Sequence, residues 1–295
     1  MPNNNKNSKI EPLLPLYPLL YDESVRRALL EDLGGAGDAT TDSIVSHEDT
    51  AAAMIVAREP GRIAGVEVAG HAFHCLGPAL SYEIRLADGE DAGAGDIIAV
   101  IQGAARPILS AERTALNFLM HLSGIATATR DIVALASPYP ARVVCTRKTT
   151  PGLRFLEKYA VRAGGGSNHR FGLDDAVLIK DNHLLAAGGV AESIQRVRRR
   201  AGHMVKVEVE VDTLEQLDAA LKEGVDAVLL DNMPIDMMAE AVRLTRKRAL
   251  TVASGGVTAE TVIAIAATGV DLISIGWITH SAPVMDISLD FALKI

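Results

Sequence analysis

The sequence predicts an α/β protein in two parts, an α+β segment followed by a parallel sheet with helical crossovers. Of its 295 residues 48% are hydrophobic and only 4% aromatic, and 25 are glycine. Such a composition is typical of buried parallel strands covered by helices. After residue 143 short apolar runs alternate with helical patterns, which is the rhythm of βα units. These two observations define the fold class.

The first part begins after a polar tail, for which we take residues 1–20. Asp22 is placed to cap a helix from Glu23 to Leu33, and glycine follows it. Between residues 50 and 108 the apolar runs are short and alternating, with Gly and Pro between them, as in an α+β unit. Ser110 opens a long helical pattern near which the domain changes. We therefore assign residues 21–120 to an N-terminal domain and 121–295 to a second one.

The second part contains six β runs separated by helical patterns. Thr213 with Gln216 forms a capping box, and Pro234 stands near another helix start. This alternation implies a parallel sheet with right-handed crossovers, either closed as a barrel or left open. The runs span residues 143–145, 176–179, 205–211, 227–230, 250–252 and 272–275.

Polar residues and glycine stand at the predicted carboxyl ends of the last four strands. Glu210, Asp231, Ser254 and Gly276 follow one another at intervals of 21, 23 and 22 residues. Barrel enzymes carry their sites at this rim, so the spacing favours a barrel. Lys206, Glu208 and Glu210 share one face of their strand. That face is solvated if the strand lies at an edge, whereas in a covered sheet all three residues point into the barrel.

Charge is distributed unevenly along the chain. Its 29 basic and 37 acidic residues leave a net charge of −8, which disfavours nucleic acid and membrane surfaces as partners. Residues 147–180 nevertheless have a balance of +4, which leaves −12 for the rest. A basic run is often only a solvated face, but here the cations follow strand ends, as in a pocket for a small polyanion. The cations are Arg147, Lys148, Arg154, Lys158, Arg162, Arg170 and Lys180.

Two glycine-rich segments extend this hypothesis. Gly164 to Gly166 precede His169 and Arg170 and either let backbone N–H groups approach a ligand or form a mobile loop. The turns Ser254-Gly255-Gly256 and Gly276 resemble the phosphate site of barrels, although glycine after a strand is also common for structural reasons. The carboxylates of Glu210 and Asp231 are candidates to hold Mg²⁺, directly or through water. Together these features indicate a phosphorylated sugar that carries pyrophosphate.

Other candidate ligands are weaker. Spacing alone makes Arg113 a surface residue, and no paired-His motif is present. Cys75 and Cys145 lack metal or disulfide spacing and are expected to be reduced thiols. No apolar run approaches the roughly 18 residues of a membrane span, so a cytoplasmic protein is expected. The remaining histidines are interpreted as surface or core residues: His47, His71, His74, His203 and His280.

Several motifs together resemble the quinolinate phosphoribosyltransferase family, and the likeness extends in order over nearly everything after residue 20. Lys180-Asp181-Asn182-His183 distinguishes this family from its paralogue associated with molybdenum uptake, which shares other motifs. The matching segments are Glu31-Asp32-Leu33-Gly34, Gly37-Asp38, Thr40-Thr41, Ala111-Glu112-Arg113-Thr114, His121-Leu122-Ser123-Gly124, Thr146-Arg147-Lys148-Thr149-Thr150-Pro151-Gly152, Gly164-Gly165-Gly166-Ser167-Asn168-His169-Arg170, Ile179-Lys180-Asp181-Asn182-His183, Glu208-Val209-Glu210-Val211-Asp212 and Ser254-Gly255-Gly256.

The resemblance implies an N-terminal α/β sandwich, an irregular α/β barrel and a C-terminal tail that packs back on the first domain. It also implies a homodimer in which each active site is completed by the partner's N-terminal domain. The implied activity is that of a magnesium-dependent pentosyltransferase of NAD biosynthesis. It transfers phosphoribose from phosphoribosyl pyrophosphate to quinolinate and releases pyrophosphate and CO2, giving nicotinate mononucleotide.

The resemblance also implies roles for single residues. Arg147, His169, Arg170 and Lys180 would bind quinolinate together with Arg113 of the other subunit. The residues Lys148, Glu210 and Asp231 would be catalytic and face phosphoribosyl pyrophosphate and Mg²⁺. Its 5-phosphate would bind at Ser254, Gly255, Gly256 and Gly276. Val252 departs from the family pattern, which has Glu there, so the role of that Glu is not carried over.

Two other classes of function remain as alternatives. A phosphate-binding lyase or isomerase would use the same kind of barrel but would not need two anion sites with a carboxylate pair between them. A non-catalytic binding module would not need Glu210 and Asp231 inside the barrel. An assay with quinolinate, phosphoribosyl pyrophosphate and Mg²⁺ separates these alternatives.

Overall fold

The N-terminal domain is built on an antiparallel sheet covered by helices. The computed structural model describes residues 13–294, so residues 1–12 of the expected tail lie outside it. The sheet has the order β12-β1-β5-β3. Its elements, with the C-terminal strand, are α1 (Asp22–Leu33), α2 (Ala39–Ile44), β1 (Thr50–Ala57), β2 (Gly61–Arg62), α3 (Val66–Leu76), β3 (Ser81–Ile84), β4 (Asp91–Ala92), β5 (Ile97–Ala104), α4 (Ala105–Ala136) and β12 (Ile287–Lys294).

The last strand of the chain belongs to this first sheet. Strand β12 pairs antiparallel with β1 along its whole length, from Thr50 opposite Lys294 to Ala57 opposite Ile287. The β1 side chains Ala51, Ala53 and Ile55 are buried at alternate positions. The C-terminal strand thus completes the sheet of the N-terminal domain.

The long helix α4 runs from one domain into the other and packs on α3 and on the first helix of the barrel. It begins at Ala105, five residues before the start at Ser110 that the sequence pattern indicated. The predicted start was wrong, because the helix includes Pro107 in its first turn. At that position the missing N–H of proline removes no hydrogen bond.

The C-terminal domain is a barrel-like parallel sheet with the order β6-β11-β10-β9-β8-β7. Among the described residues no ladder joins β6 to β7, and Ser167 instead bridges to Val144 of β6. Across residues 13–294, each helix is too short or too polar to cross a bilayer. The domain comprises β6 (Arg142–Val144), α5 (Arg154–Ala163), β7 (Val177–Ile179), α6 (Asp181–Ala187), α7 (Val190–Arg198), β8 (Val207–Val211), α8 (Leu214–Lys222), β9 (Ala227–Asp231), α9 (Ile235–Thr245), β10 (Leu250–Ser254), α10 (Val262–Ala267), β11 (Leu272–Ser274) and α11 (Trp277–His280).

The charged face of the strand around residue 208 is divided between the barrel interior and the surface. Glu208 is buried and Glu210 lines the cavity at the strand end, as a covered sheet requires. Lys206 does not point into the barrel, because β8 begins only at Val207. Its side chain is 78% exposed and forms an ion pair of 2.7 Å with Asp226. The prediction was therefore wrong for Lys206.

Candidate active site

The carboxyl ends of the barrel strands surround a cavity of about 730 Å³. Nearly all of the predicted site residues line this one cavity, although they come from seven separate segments of the chain. Parallel strands end at the same rim, which is why residues far apart in sequence meet there. The predicted residues that line it are Arg147, Lys148, His169, Arg170, Lys180, Glu210, Asp231, Ser254, Gly255, Gly256 and Gly276.

Arg113 is the predicted site residue that does not line the cavity. It lies on α4 with 74% of its side chain exposed, and its ion-pair partner is the neighbouring Glu112 at 3.4 Å. Its guanidinium is thus accessible from outside this chain.

One side of the cavity is formed by two arginines whose donors are not fully used. The Nε atoms of Arg147 and Arg170 are buried and have no hydrogen-bond partner within the described protein. Burial lowers the pKa of Arg170, and the adjacent Arg147 cation lowers it further. Unpartnered buried donors are costly, and two like charges repel. An anion with several acceptor oxygens would remove both penalties.

His169 is held on the same side by a carboxylate to which the sequence assigned no role. Its Nε2 lies 2.6 Å from Oε2 of the buried Glu208. The second carboxylate oxygen, Oε1, has no partner within the described residues. This pair fixes the direction of the imidazole ring. Glu208 stands two residues before Glu210, so the period of the strand was the signal that placed it inside the barrel.

The other side of the cavity contains the carboxylates. Glu210 at the end of β8 forms an ion pair of 3.6 Å with Lys180. Burial raises the pKa of Glu210; the Lys180 ammonium opposes this effect, whereas the Asp231 and Asp181 carboxylates add to it. Asp231 ends β9 and accepts a hydrogen bond of 2.7 Å from Asn232 Nδ2. A second cation between the two carboxylates would relieve their repulsion, which is a fit for Mg²⁺.

A three-ligand cluster that suits a metal lies elsewhere within the described chain. Asp22, His71 and Cys75 of the N-terminal domain bring their ligand atoms within 4.8 Å of one another. The guanidinium of Arg26 already binds both oxygens of Asp22, at 2.8 and 3.0 Å. That positive charge opposes a cation at the same place.

The two predicted phosphate turns adjoin each other at the cavity rim. Gly255 has a φ of +96°, and a Cβ there would lie 2.1 Å from the Asn232 side-chain oxygen, so glycine is required. Trp277 donates from Nε1 to the carbonyl of Val257 at 2.9 Å, which links the second turn to the first. The turns are thus held at a constant separation.

The triple glycine differs from both interpretations of the sequence. Gly164, Gly165 and Gly166 donate their N–H groups to carbonyls of α5 at 2.9 Å, so these donors do not face a ligand. A Cβ at Gly164 would lie 2.4 Å from the Ala126 carbonyl of α4. The glycines therefore allow the chain to pass close to α4. They are packed against that helix and do not form a loose loop.

Several further residues of the cavity were missed, among them His280, Asn232 and Trp277. His280, interpreted as a surface or core residue, lines the cavity, with its Nδ1 2.6 Å from Ser281 Oγ. It lies four residues after Gly276, one helical turn along α11, which is the spacing that would have indicated it. Asn232 and Trp277 also line the cavity, directly after predicted site residues.

Comparison with known proteins agrees with this geometry. The family description "Quinolinate phosphoribosyl transferase, N-terminal domain" matches residues 38–123, and the corresponding C-terminal domain matches residues 125–290. A nicotinate-nucleotide pyrophosphorylase (carboxylating) of Mycobacterium leprae is 46% identical over 275 residues, covering 91% of this chain and 96% of that protein. A quinolinate phosphoribosyltransferase (decarboxylating) of Nicotiana tabacum is 40% identical, covering 96% and 87%.

Solved structures give the same result. NadC from Streptococcus pyogenes superimposes with a TM-score of 0.92 at 37% identity, covering 96% of this chain and all 100% of that one. The nicotinate-nucleotide pyrophosphorylase from Francisella tularensis gives 0.90 at 37% identity, covering 96% and 99%. The likeness therefore includes both domains. The chain belongs to the quinolinate phosphoribosyltransferase family.

Proposed function

We infer that this chain transfers phosphoribose from phosphoribosyl pyrophosphate to quinolinate with decarboxylation. The products are nicotinate mononucleotide, pyrophosphate and CO2, and the reaction belongs to NAD biosynthesis. The observation that carries this function is a single cavity lined by four cations, by both glycine turns and by the carboxylates of Glu210 and Asp231. A dicarboxylate and a pyrophosphorylated sugar need this combination.

The cationic side accounts for binding of quinolinate. Arg147, Arg170 and Lys180 offer charge to the two carboxylates, and His169 is aimed by Glu208. Arginine binds a carboxylate with two parallel hydrogen bonds, so the plane of the pyridine ring is set as well as its place. The ring nitrogen is then directed at the sugar. Such positioning is the main catalytic task in joining two bound substrates.

The carboxylate pair accounts for the bond that breaks. As pyrophosphate leaves, C1 of the ribose develops positive charge, which Glu210 and Asp231 stabilise electrostatically. Attack by the pyridine nitrogen gives a pyridinium ring. The positive ring stabilises the electron pair that stays at C2 when the 2-carboxylate departs as CO2, and a proton taken up at C2 then gives the C–H bond of nicotinate mononucleotide. Lys148, which lines the same cavity, would neutralise the leaving pyrophosphate.

The same proposal includes the metal, the binding of the 5-phosphate and the arrangement of the subunits. Glu210 and Asp231 would hold Mg²⁺, which supplies positive charge to the pyrophosphate. The glycine turns at Ser254 to Gly256 and at Gly276 would bind the 5-phosphate with backbone N–H groups. The active unit would be a homodimer in which Arg113 of one subunit reaches the cavity of the other. The cytoplasmic location stays a prediction for cell fractionation.

One assay tests the reaction directly. Purified protein is mixed with quinolinate, phosphoribosyl pyrophosphate and Mg²⁺, and nicotinate mononucleotide and CO2 are measured together. We expect equal amounts of both, and no nucleotide when nicotinate replaces quinolinate, because nicotinate lacks the carboxylate at position 2. Glu210→Gln, which keeps the shape but removes the charge, should lose most of the turnover. Product without CO2, or none at all, would disprove the proposal.

A further inference from the structure

The helix α5 lies behind the cationic side of the cavity and does not line it. Its residues Arg154, Glu157 and Lys158 stand at positions i, i+3 and i+4 and therefore share one helix face. Glu157 and Lys158 are both fully buried. Buried charges are costly, so their contacts require an explanation.

Glu157 connects the loop that carries Arg147 and Lys148 to the long helix α4. Its Oε2 accepts the backbone N–H of Thr150 at 3.1 Å, and its Oε1 lies 2.9 Å from His121 Nε2. Both oxygens are thereby used. This loop has little regular structure of its own, and Glu157 supplies a partner for its backbone.

Lys158 holds the second cationic loop, which carries His169 and Arg170. Its ammonium donates to the His169 carbonyl at 2.8 Å and lies 3.1 Å from the Cys145 sulfur. The same ammonium lies 4.9 Å from the centre of the Phe171 ring. No carboxylate of the described residues is within ion-pair distance of it. Lys158 is thus a buried cation whose contacts are a backbone carbonyl, a thiol and a ring.

Arg154 joins the two loops to each other. Its Nη1 donates to the Phe171 carbonyl at 3.0 Å, and its Nε donates to Thr149 Oγ1 at the same distance. Its Nη2 lies 3.5 Å from the Arg147 carbonyl. One side chain therefore contacts the loop of Arg147 and the loop of Arg170.

We propose that Arg154, Glu157 and Lys158 are positioning residues that set the separation of Arg147 and Arg170 without touching the substrate. Two guanidinium groups beside each other repel, and a rigid support must oppose that repulsion before the dicarboxylate arrives. The face of α5 provides the support through backbone groups of both loops. This inference rests on the proposed function, because it concerns the quinolinate part of that site.

Arg154→Lys is the sharpest test, since it keeps the charge but cannot bridge both loops. Misplaced binding groups lose much of their effect, so we expect the KM for quinolinate to rise about tenfold or more. The KM for phosphoribosyl pyrophosphate should rise less than that for quinolinate, because among its proposed binding groups only Lys148 lies on a loop that Arg154 contacts. Both arginines proposed for quinolinate lie on such loops. Lys158→Met should also raise the KM for quinolinate, because Lys158 holds the loop of His169. Lys222→Met, at an exposed ion pair on α8, is the matched control.

A binding measurement separates positioning from folding and from the reaction itself. Phthalate, the benzene analogue of quinolinate, is titrated calorimetrically into each variant, and the Tm is recorded separately. Positioning predicts weaker phthalate binding by Arg154→Lys at an almost unchanged Tm. Glu157→Gln, which still accepts from Thr150, should retain more affinity than Glu157→Met. If Lys158→Met does not fold, Arg154→Lys alone decides.

Failure of the proposed function and failure of the positioning proposal alone give different results in these experiments. If the wild type neither binds phthalate nor turns over quinolinate, the proposed function fails and the positioning proposal fails with it. If the wild type is active but Arg154→Lys keeps its KM for quinolinate and its affinity for phthalate, only the positioning proposal is overturned.

Discussion

Arg147 and Arg170 have buried Nε donors that find no partner in the protein itself. Replacing either by alanine removes a charge-assisted hydrogen bond to the substrate, at a cost of roughly 1.5–3 kcal/mol. We expect the quinolinate KM to rise about ten- to hundredfold. Steady-state kinetics with quinolinate varied at saturating phosphoribosyl pyrophosphate measure this change. Unchanged kinetics in either variant would remove that arginine from the binding site.

Asp91 gives a prediction for the dependence of stability on pH. Arg62 binds both of its oxygens at 2.8 Å, and this hydrogen bonding with that of Arg130 lowers the pKa of Asp91 from 3.8 to about 2. A carboxyl with a lowered pKa stabilises the fold above its ordinary value, and the contribution is lost as the pH falls from about 4 to about 2. The side chain is 56% exposed, so we expect less than about 1 kcal/mol.

Urea unfolding of Asp91→Asn and wild type measures this contribution. The difference in free energy of unfolding between the two proteins should be constant between pH 5 and pH 7. This range begins about one pH unit above the ordinary pKa of the carboxyl, so the group is ionised throughout it. It should become smaller at pH 3. A difference that stays the same at pH 3 would contradict the lowered pKa.

Residues at the site could be predicted where their backbone position carried the information. Glu210 and Asp231 were found because strand ends of a parallel sheet converge. His280 was missed because the short helix α11, which brings it to the cavity one turn after Gly276, was not predicted. The role of Glu208 depends on a contact with His169, 39 positions earlier in the chain, and no local signal describes such a contact.

Elements were predicted more accurately in type than in extent. Each of the six predicted β runs overlaps an observed strand, but β8 starts two residues later than expected and α4 starts five residues earlier. Periodicity indicates which side chains face the core, whereas hydrogen bonds at the ends decide where an element stops. Whether the sheet closes depends on how near β6 and β7 come to each other. Tertiary packing decides this distance, so the local sequence does not predict it.

The N-terminus of α2 offers a test at this scale. Oδ1 of Asp38 accepts the N–H groups of Thr40 and Thr41 at 3.2 and 2.9 Å, and Oδ2 accepts Ser110 Oγ at 2.9 Å. Asp38→Ala removes the cap and its link to α4, so we expect a loss of about 1–2 kcal/mol in the free energy of unfolding. Asp38→Asn keeps an accepting oxygen, so its free energy of unfolding should fall by only about a few tenths of a kcal/mol. Equal losses in both variants would show that the cap is unimportant.

For the whole molecule, the net charge of −8 hides a division between substrate site and body. The segment 147–180 carries +4 and includes two loops of the cavity, while the rest carries −12. Repulsion of anionic substrates by the acidic body is compensated locally, because the cations stand together at one end of the barrel. This separation follows from topology: the basic segment runs from the loop after β6 to the residue after β7, whereas most acidic residues lie on the remaining helices and strands.

The shared site proposed for the dimer can be tested by mixing two inactive variants. Arg113→Ala damages what a subunit gives to its partner, and Lys180→Ala damages its own cavity. A hybrid dimer of the two has one cavity with an intact Lys180 and an intact Arg113 from the partner. Random exchange makes half of the dimers hybrids with one of two sites intact, so the mixture should recover about a quarter of wild-type activity.

Arg147→Ala mixed with Lys180→Ala is the control, since both residues line the same cavity and Arg113 stays intact in each chain. In that mixture each cavity lacks one of its own cations, and no recovery is expected. No recovery in the first mixture despite measured subunit exchange would place Arg113 outside the active site, and recovery in the control would contradict the assignment of Arg147 and Lys180 to one cavity.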